Sequence, residues 1–246
     1  MEWPLACELC SEHYNGPVER RSFALISIDK TPLKERMEKY FDENVSDAMI
    51  EHIYPAMMMT GNRIVGPQAR KKILEESSFD LKRIVHYPFK PLDMRWCYLD
   101  NIRPLFSEPS PKLLLQSRIK ENWFFITRDT ADKRQEGVPF LFSAKICDYD
   151  SISGHARHFP VLLHEEPKTS ADDLAMEQMY GPQELRTFTR ANLSDAARDY
   201  LKSMGISNPD EDLVTAGVVW MHALGIGYSP AYLHENVDGI RQDWPR

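Results

Sequence analysis

The sequence predicts an α+β fold: a β-rich central core over residues 84–164, flanked by helical segments over 1–83 and 165–246. Three observations predict it. Short apolar runs at Trp96–Leu99, Trp123–Thr127, Pro139–Ser143 and Phe159–Leu163 are separated by Pro, Gly, Asn and Asp, the texture of strands joined by irregular loops. On either side, apolar residues recur at helical spacing: Leu33, Met37 and Phe41 in one segment, Leu213, Gly217, Trp220 and Leu224 in the other. Hydrophobic residues make up 42% of 246 residues, enough for a real core in one large or two small domains.

Taken in order, residues 22–29 are rich in Phe, Leu and Ile and read as a buried strand. Thr31 is placed to cap a helix with Pro32 at its first position, where the missing amide costs nothing. Asp47 to Met59 reads as a Met-rich helix and Gln68 to Glu76 as another, parted by Gly61 and Gly66-Pro67. Tyr87 to Tyr98 holds four aromatics, two prolines, a lysine and an arginine. Pro88 and Pro91 exclude an ordinary helix and predict a rigid turn followed by a short strand. Residues 111–120 fit a short basic helix. Glu165 to Gly181 is polar and bounded by Pro and Gly, a loop or linker. Asn192-Leu193-Ser194 opens a helix that ends near Gly205, and a second runs from about Asp210 through Leu224.

Net charge is −7, which on its face argues against nucleic acid. Its distribution argues otherwise: residues 82–134 carry eleven Lys/Arg against six Asp/Glu, a local +5, while the remainder carries 19 against 31, or −12. The basic stretch coincides with the aromatic run, so an acidic body carries one basic segment. The most apolar stretch, Leu213 to Ile226, falls short of the roughly 20 residues that span a bilayer, so no membrane is expected. No secretory signal opens the chain, and four cysteines in a chain this long make no disulfide framework, so a cytoplasmic location is the default.

Several chemistries lack their residues. There is no Gly-x-x-x-x-Gly-Lys-[Ser/Thr] phosphate loop and no Gly-rich turn for an adenosyl cofactor. Asn208-Pro209-Asp210 lacks the second proline and the aromatic of an Asn-Pro-Pro-Tyr loop. Cys7, Cys10 and His13 have zinc-like spacing without a second cysteine pair. Asp148 or Asp150 with Glu166-Pro167-Lys168 loosely matches a metal-dependent nuclease, though Pro167 spoils the strand on which such a Glu-x-Lys sits. His155 and His158 form a pair without a clear third partner. The chain is therefore expected to be non-catalytic by itself, with no cofactor or metal of its own.

What remains is recognition. Arg95, Arg103, Lys112, Arg118, Lys120 and Arg128 are candidates to clamp phosphate or pair with guanine, and Gln116 and Asn122 to read adenine edges. Each also has a structural reading. Asp93-x-Arg95-Trp96 can be an internal ion pair among core rings. Trp96, Tyr98, Trp123 and Phe124 can be core, and Lys112, Arg118 and Lys120 a solvated helix face.

Tyr87-Pro88-Phe89 followed by Asp93-Met94-Arg95-Trp96-Cys97-Tyr98 resembles the Tyr-Arg-Pro-Phe-Asp-x-Arg-Trp-x-Tyr-Tyr signature in the carboxy-terminal specificity domain of Type ISP restriction–modification enzymes. Three further segments agree in order: Phe23 to Asp29; Phe159-Pro160-Val161-Leu162-Leu163; and Tyr228-Ser229-Pro230-Ala231-Tyr232 with Asp238 to Arg246. Two departures stand out. The arginine between Tyr and Pro is missing, and Lys90-Pro91-Leu92 is inserted before Asp93. The resemblance implies a piece of a longer enzyme, a target-recognition domain that reads double-stranded DNA. An upstream module of the same polypeptide would then methylate adenine with S-adenosylmethionine. Two alternatives stay open: a protein-interaction or scaffold domain with no DNA contact, and the metal nuclease.

Overall fold

A computed structural model describes residues 5–61, 64–128, 138, 140–153, 155–165 and 188–240. After a 3-10 turn at Ala6–Leu9, strand β1 spans Tyr14–Asn15 and β2 spans Ile26–Ser27. Helices α1 (Lys30–Tyr40), α2 (Asp47–Ile53), α3 (Pro55–Met58) and α4 (Gly66–Glu76) follow. Then come β3 (Ile84–Lys90), β4 (Asp93–Tyr98), α5 (Pro111–Gln116), β5 (Phe124–Arg128), β6 (Leu141–Ser143), β7 (Ala156–Pro160), β8 (Leu162–Glu165) and β9 (Phe188–Ala191). The chain closes with α6 (Asp195–Ser203), α7 (Leu213–Gly227), α8 (Pro230–Glu235) and α9 (Val237–Ile240). The α+β architecture is as the sequence predicts.

Strands pair antiparallel in three sheets, of order β1-β7-β5-β6, β2-β4-β3 and β8-β9. Strand β5 is buried along its whole length and serves two cores by simple alternation. Phe124 and Ile126 enter a core with α1, α4, Tyr87 and Tyr98, whereas Phe125 enters a second core with Phe159, α6 and α7. There the Trp220 ring lies 5.3 Å from Phe125 and 5.5 Å from Phe159. Gly227, at the end of α7, allows contact with Phe140, since a Cβ there would meet the ring at 1.9 Å.

This packing redraws the expected boundaries. β1 and β2, from the segment assigned to the amino-terminal helices, are edge strands of the two larger sheets. The first core runs from Ala24 to Ala156 across the division at 83/84, and the second joins Phe125 and Phe159 to α6 and α7 across the division at 164/165.

The strand expected over 22–29 contracts to Ile26–Ser27. The buried Glu19 carboxylate accepts from the backbone N–H of Arg21, Phe23 and Leu25, curling the chain with positive φ at Arg20, Ser22 and Phe23. Asp29 rather than Thr31 precedes α1, placing Pro32 one turn in, where its missing N–H still breaks no helical bond. The Met-rich helix is two helices, broken at Tyr54 before Pro55. Tyr87 to Tyr98 is not turn-then-strand but most of a hairpin. β3 is an edge strand, so Pro88 is tolerated there, and the turn lies at Pro91-Leu92. Ser194 and Asp212 cap α6 and α7, accepting from Ala197 N and Thr215 N. Most of the expected linker, residues 166–181, lies outside the described residues.

Candidate nucleic-acid interface

Two surface features bear on recognition. The first is a polar cleft of about 430 Å³ lined by Asn15, Arg20, Ser107, Glu108 and Tyr149, with Gly16, Val18 and Pro109. One wall is the bridge of Val18 to Glu108, whose backbones exchange hydrogen bonds of 2.9 and 3.1 Å. Gly16 lets the 147–149 loop close in, because a Cβ there would lie 2.9 Å from the Tyr149 backbone. His155, at a φ of +71°, stacks its ring on Tyr149 at 4.4 Å and 13°.

Two predicted residues sit by this cleft. Arg103 reaches Glu108 at 3.8 Å, and Lys112, at the start of α5, reaches Glu12 at 3.9 Å. Glu12 accepts the Tyr14 hydroxyl on β1, next to Asn15. Both ion pairs are long and solvated, and such pairs contribute little, so the cations can exchange partners with an incoming phosphate. Arg118 and Lys120 are exposed just beyond α5, with Lys120 reaching Glu121 at 3.7 Å.

The second feature is the β3–β4 hairpin. Arg95 grips Asp93 through Nε at 3.1 Å and Nη2 at 2.8 Å, and lies over the Phe89 ring at 4.2 Å and the Phe23 ring at 5.7 Å. The register slips between Pro88 and Lys90, making Phe89 the bulged residue that presents its ring to Arg95. The internal ion pair is thus present, packed on half-exposed rings rather than inside the core. Tyr98 and Phe124 are core, as is Tyr87, whereas Trp96 is partly buried under Lys30, 4.8 Å from its ring, and Trp123 stacks on Phe142 at 5.4 Å.

Three predicted contact residues are corrected: Gln116, Asn122 and Arg128 are interior. Gln116 donates to His164 O at 3.2 Å and accepts from His164 N. Asn122 donates to Leu162 O and Gln116 O and accepts from Leu162 N and Trp123 N. Arg128 is 2% exposed and donates to Ile240 O at 3.1 Å. All three are buried and bound to backbone, so they present no exposed edge to a base.

The rival chemistries fare as follows. Among the described residues, no group of three or more His, Cys, Asp or Glu is placed to hold a metal ion. Cys10 donates to Cys7 O, and burial pushes its thiol up to about 12. Asp148 is buried, accepts from the Tyr87 hydroxyl and Asp150 N, and is raised to about 6 by burial. Glu166 and Lys168 lie outside the described residues. His158 is buried and accepts from Cys147 N at 2.9 Å, and burial pulls it down to about 3. His155 lies apart on the loop surface, 3.5 Å from Asp150.

Asn15, Arg20, Ser107 and Tyr149 carry no signal in the sequence as a site. The cleft gathers them from three separate segments, residues 15–20, 107–109 and 149. Among the described residues, no helix is long and apolar enough to cross a membrane.

Comparison with known proteins bears on the fold. The chain covers 97% of its length, at TM-scores of 0.62, 0.56 and 0.64, on three solved structures. They are the cryoEM DrdV–DNA complex (13% identity), a nuclease-deletion mutant of the Type ISP restriction–modification enzyme LlaGI with a DNA substrate mimic (14%), and the ATP-dependent Type ISP enzyme LlaBIII bound to DNA (13%). It spans only 21%, 17% and 14% of those chains. No curated protein sequence matches. The family model described as the Type ISP C-terminal specificity domain matches residues 8–246, and the chain belongs to that family.

Proposed function

We propose that this domain reads a short duplex DNA sequence for a catalytic module in the same polypeptide, in the cytoplasm, and that this module methylates adenine using S-adenosylmethionine. The observation that carries the reading is the specificity-domain match over residues 8–246. Arg20, Arg103 and Lys112 supply the phosphate grip around the cleft, Arg118 and Lys120 add cations beyond α5, and Asn15 and Ser107 offer polar groups that can face a base or backbone edge. Arg95 contributes its outward edge while Asp93 fixes its plane.

The test is selection of bound duplexes from a random pool by the whole chain, at low and moderate salt, beside the double variant Arg103→Ala/Lys112→Ala. Enrichment of one short motif, weakened by the double change and by salt, supports the reading. Failure of the chain to bind in both settings overturns it. The rival, a protein-interaction domain, draws on the exposed Val214, Met221 and Ile226 of α7, and predicts partner capture that is insensitive to salt.

A further inference from the structure

The tip of the β3–β4 hairpin is built from the three residues that depart from the family signature. Lys90 pairs with Asp93 across the turn, and Pro91 and Leu92 form it. Leu92 is the most exposed apolar side chain among the described residues, wholly free of protein cover, and it adopts a φ of +63°. Glycine or asparagine fills such a turn position at least cost, and a branched aliphatic side chain there is strained. Met94, opposite Pro88 on the adjoining strand, is half-exposed.

The base under this tip is held firm. Arg95 locks Asp93 through two parallel contacts and stacks on the bulged Phe89, whose ring meets Phe23 edge-on at 5.3 Å. Lys90 donates to Asp150 O, and Asp148 N donates to Pro88 O at 3.0 Å, tying the other strand to the neighbouring loop. A rigid, braced prong therefore presents one large aliphatic side chain, with a cation two residues before it and another three residues after it.

One or two apolar side chains are too small an area to hold a folded partner, for which patches of several hundred Å² are usual. They match the size of a single base step. Proteins that bend duplexes insert such a side chain between stacked bases, and flanking cations take the phosphates on either side. Resting on the proposed reading of this domain as a DNA reader, we infer that Leu92 is a wedge that enters a base step and unstacks it, so that part of this protein's sequence preference comes from how easily that step opens.

The experiment places 2-aminopurine in turn at each position of the selected duplex and records its fluorescence with the whole chain bound. A several-fold rise confined to one step is expected. It should be abolished by Leu92→Gly and kept by Leu92→Met. Melting of Leu92→Gly should not fall, since glycine relieves the positive φ. Binding with no rise at any position, or a rise that survives Leu92→Gly, overturns the wedge and leaves the DNA-reading assignment standing. No binding by the unaltered chain overturns both.

Discussion

Asn122 and Leu162 are joined by a reciprocal pair of hydrogen bonds: the Asn122 amide donates to Leu162 O at 3.0 Å and its oxygen accepts from Leu162 N at 3.1 Å. Gln116 makes the same pair with His164, two residues further along β8. One edge of β8 pairs with β9, and these two side chains stand in for a strand on the other. Asn192 plays a similar part nearby, accepting from Ser11 N and Glu12 N and donating to Glu12 O and Pro160 O.

Replacing Asn122 therefore strips four backbone groups of a partner in the interior. Asn122→Ala should destabilise the domain by about 3 kcal/mol, since buried groups left unsatisfied carry most of the loss. Urea unfolding checks this. The variant should also bind any DNA ligand normally at temperatures where it remains folded, because Asn122 never reaches the surface.

Gly227 and Gly225 lie two residues apart in α7 and should respond oppositely to alanine. At Gly227 the added Cβ meets the Phe140 ring, and overpacking of this kind costs about 1–3 kcal/mol. At Gly225 it meets nothing within 4 Å, so the gain in helix propensity, up to about 1 kcal/mol, is retained. Thermal melts of the two variants should move in opposite directions.

Two buried groups titrate against one another in acid. Asp148 is raised to about 6 from 3.8, so the stability it contributes is present below pH 3.8 and lost as pH rises through 6. His158 is lowered to about 3 from 6.5, so the folded state loses stability as pH falls from 6.5 toward 3. Between pH 6 and 4 the folded chain takes up a proton at Asp148 while the unfolded chain takes one up at His158, and the two slopes cancel. Asp148→Asn removes one side of this balance. Relative to the unaltered chain, its stability should fall by about 1.4 kcal/mol for each pH unit from 6 down to 4; unfolding of both at pH 6 and pH 4 measures the difference.

For the exposed cations, the quantity to follow is the salt dependence of duplex binding. Each of Arg103→Ala, Lys112→Ala, Arg118→Ala and Lys120→Ala that removes a phosphate contact should shrink the slope of log K against log salt by about 0.9. Arg128→Lys, a change in the interior, should leave that slope unaltered and act on stability alone.

What the sequence disclosed and what it hid divide along physical lines. A helix start was legible where a short polar side chain accepts a backbone N–H, as Ser194 does, whereas the cap at Asp212 lies two residues past the expected start near Asp210. The two-residue β1 and the strand β9 were not legible, because both exist through distant partners, His158 and Arg157 for one and β8 for the other. Asn122 and Gln116 were assigned to adenine because an amide offers a donor beside an acceptor. A peptide group presents the same complementary pair, so residue type alone cannot separate the two. The family signature was legible in the residues around the hairpin, while the brace of Arg95 on Phe89 and Phe23 depends on a bulge and a positive φ that short-range patterns do not encode.

The alternation along β5 has a consequence for taking the molecule apart. Phe124 and Ile126 serve one core and Phe125 the other, so one five-residue strand is common property of both halves. Fragments cut near residue 83 or 164 would each carry an open apolar face instead of a finished interior. The domain should unfold in a single step, and a recognition specificity built on it should be transplantable between enzymes only as the entire unit.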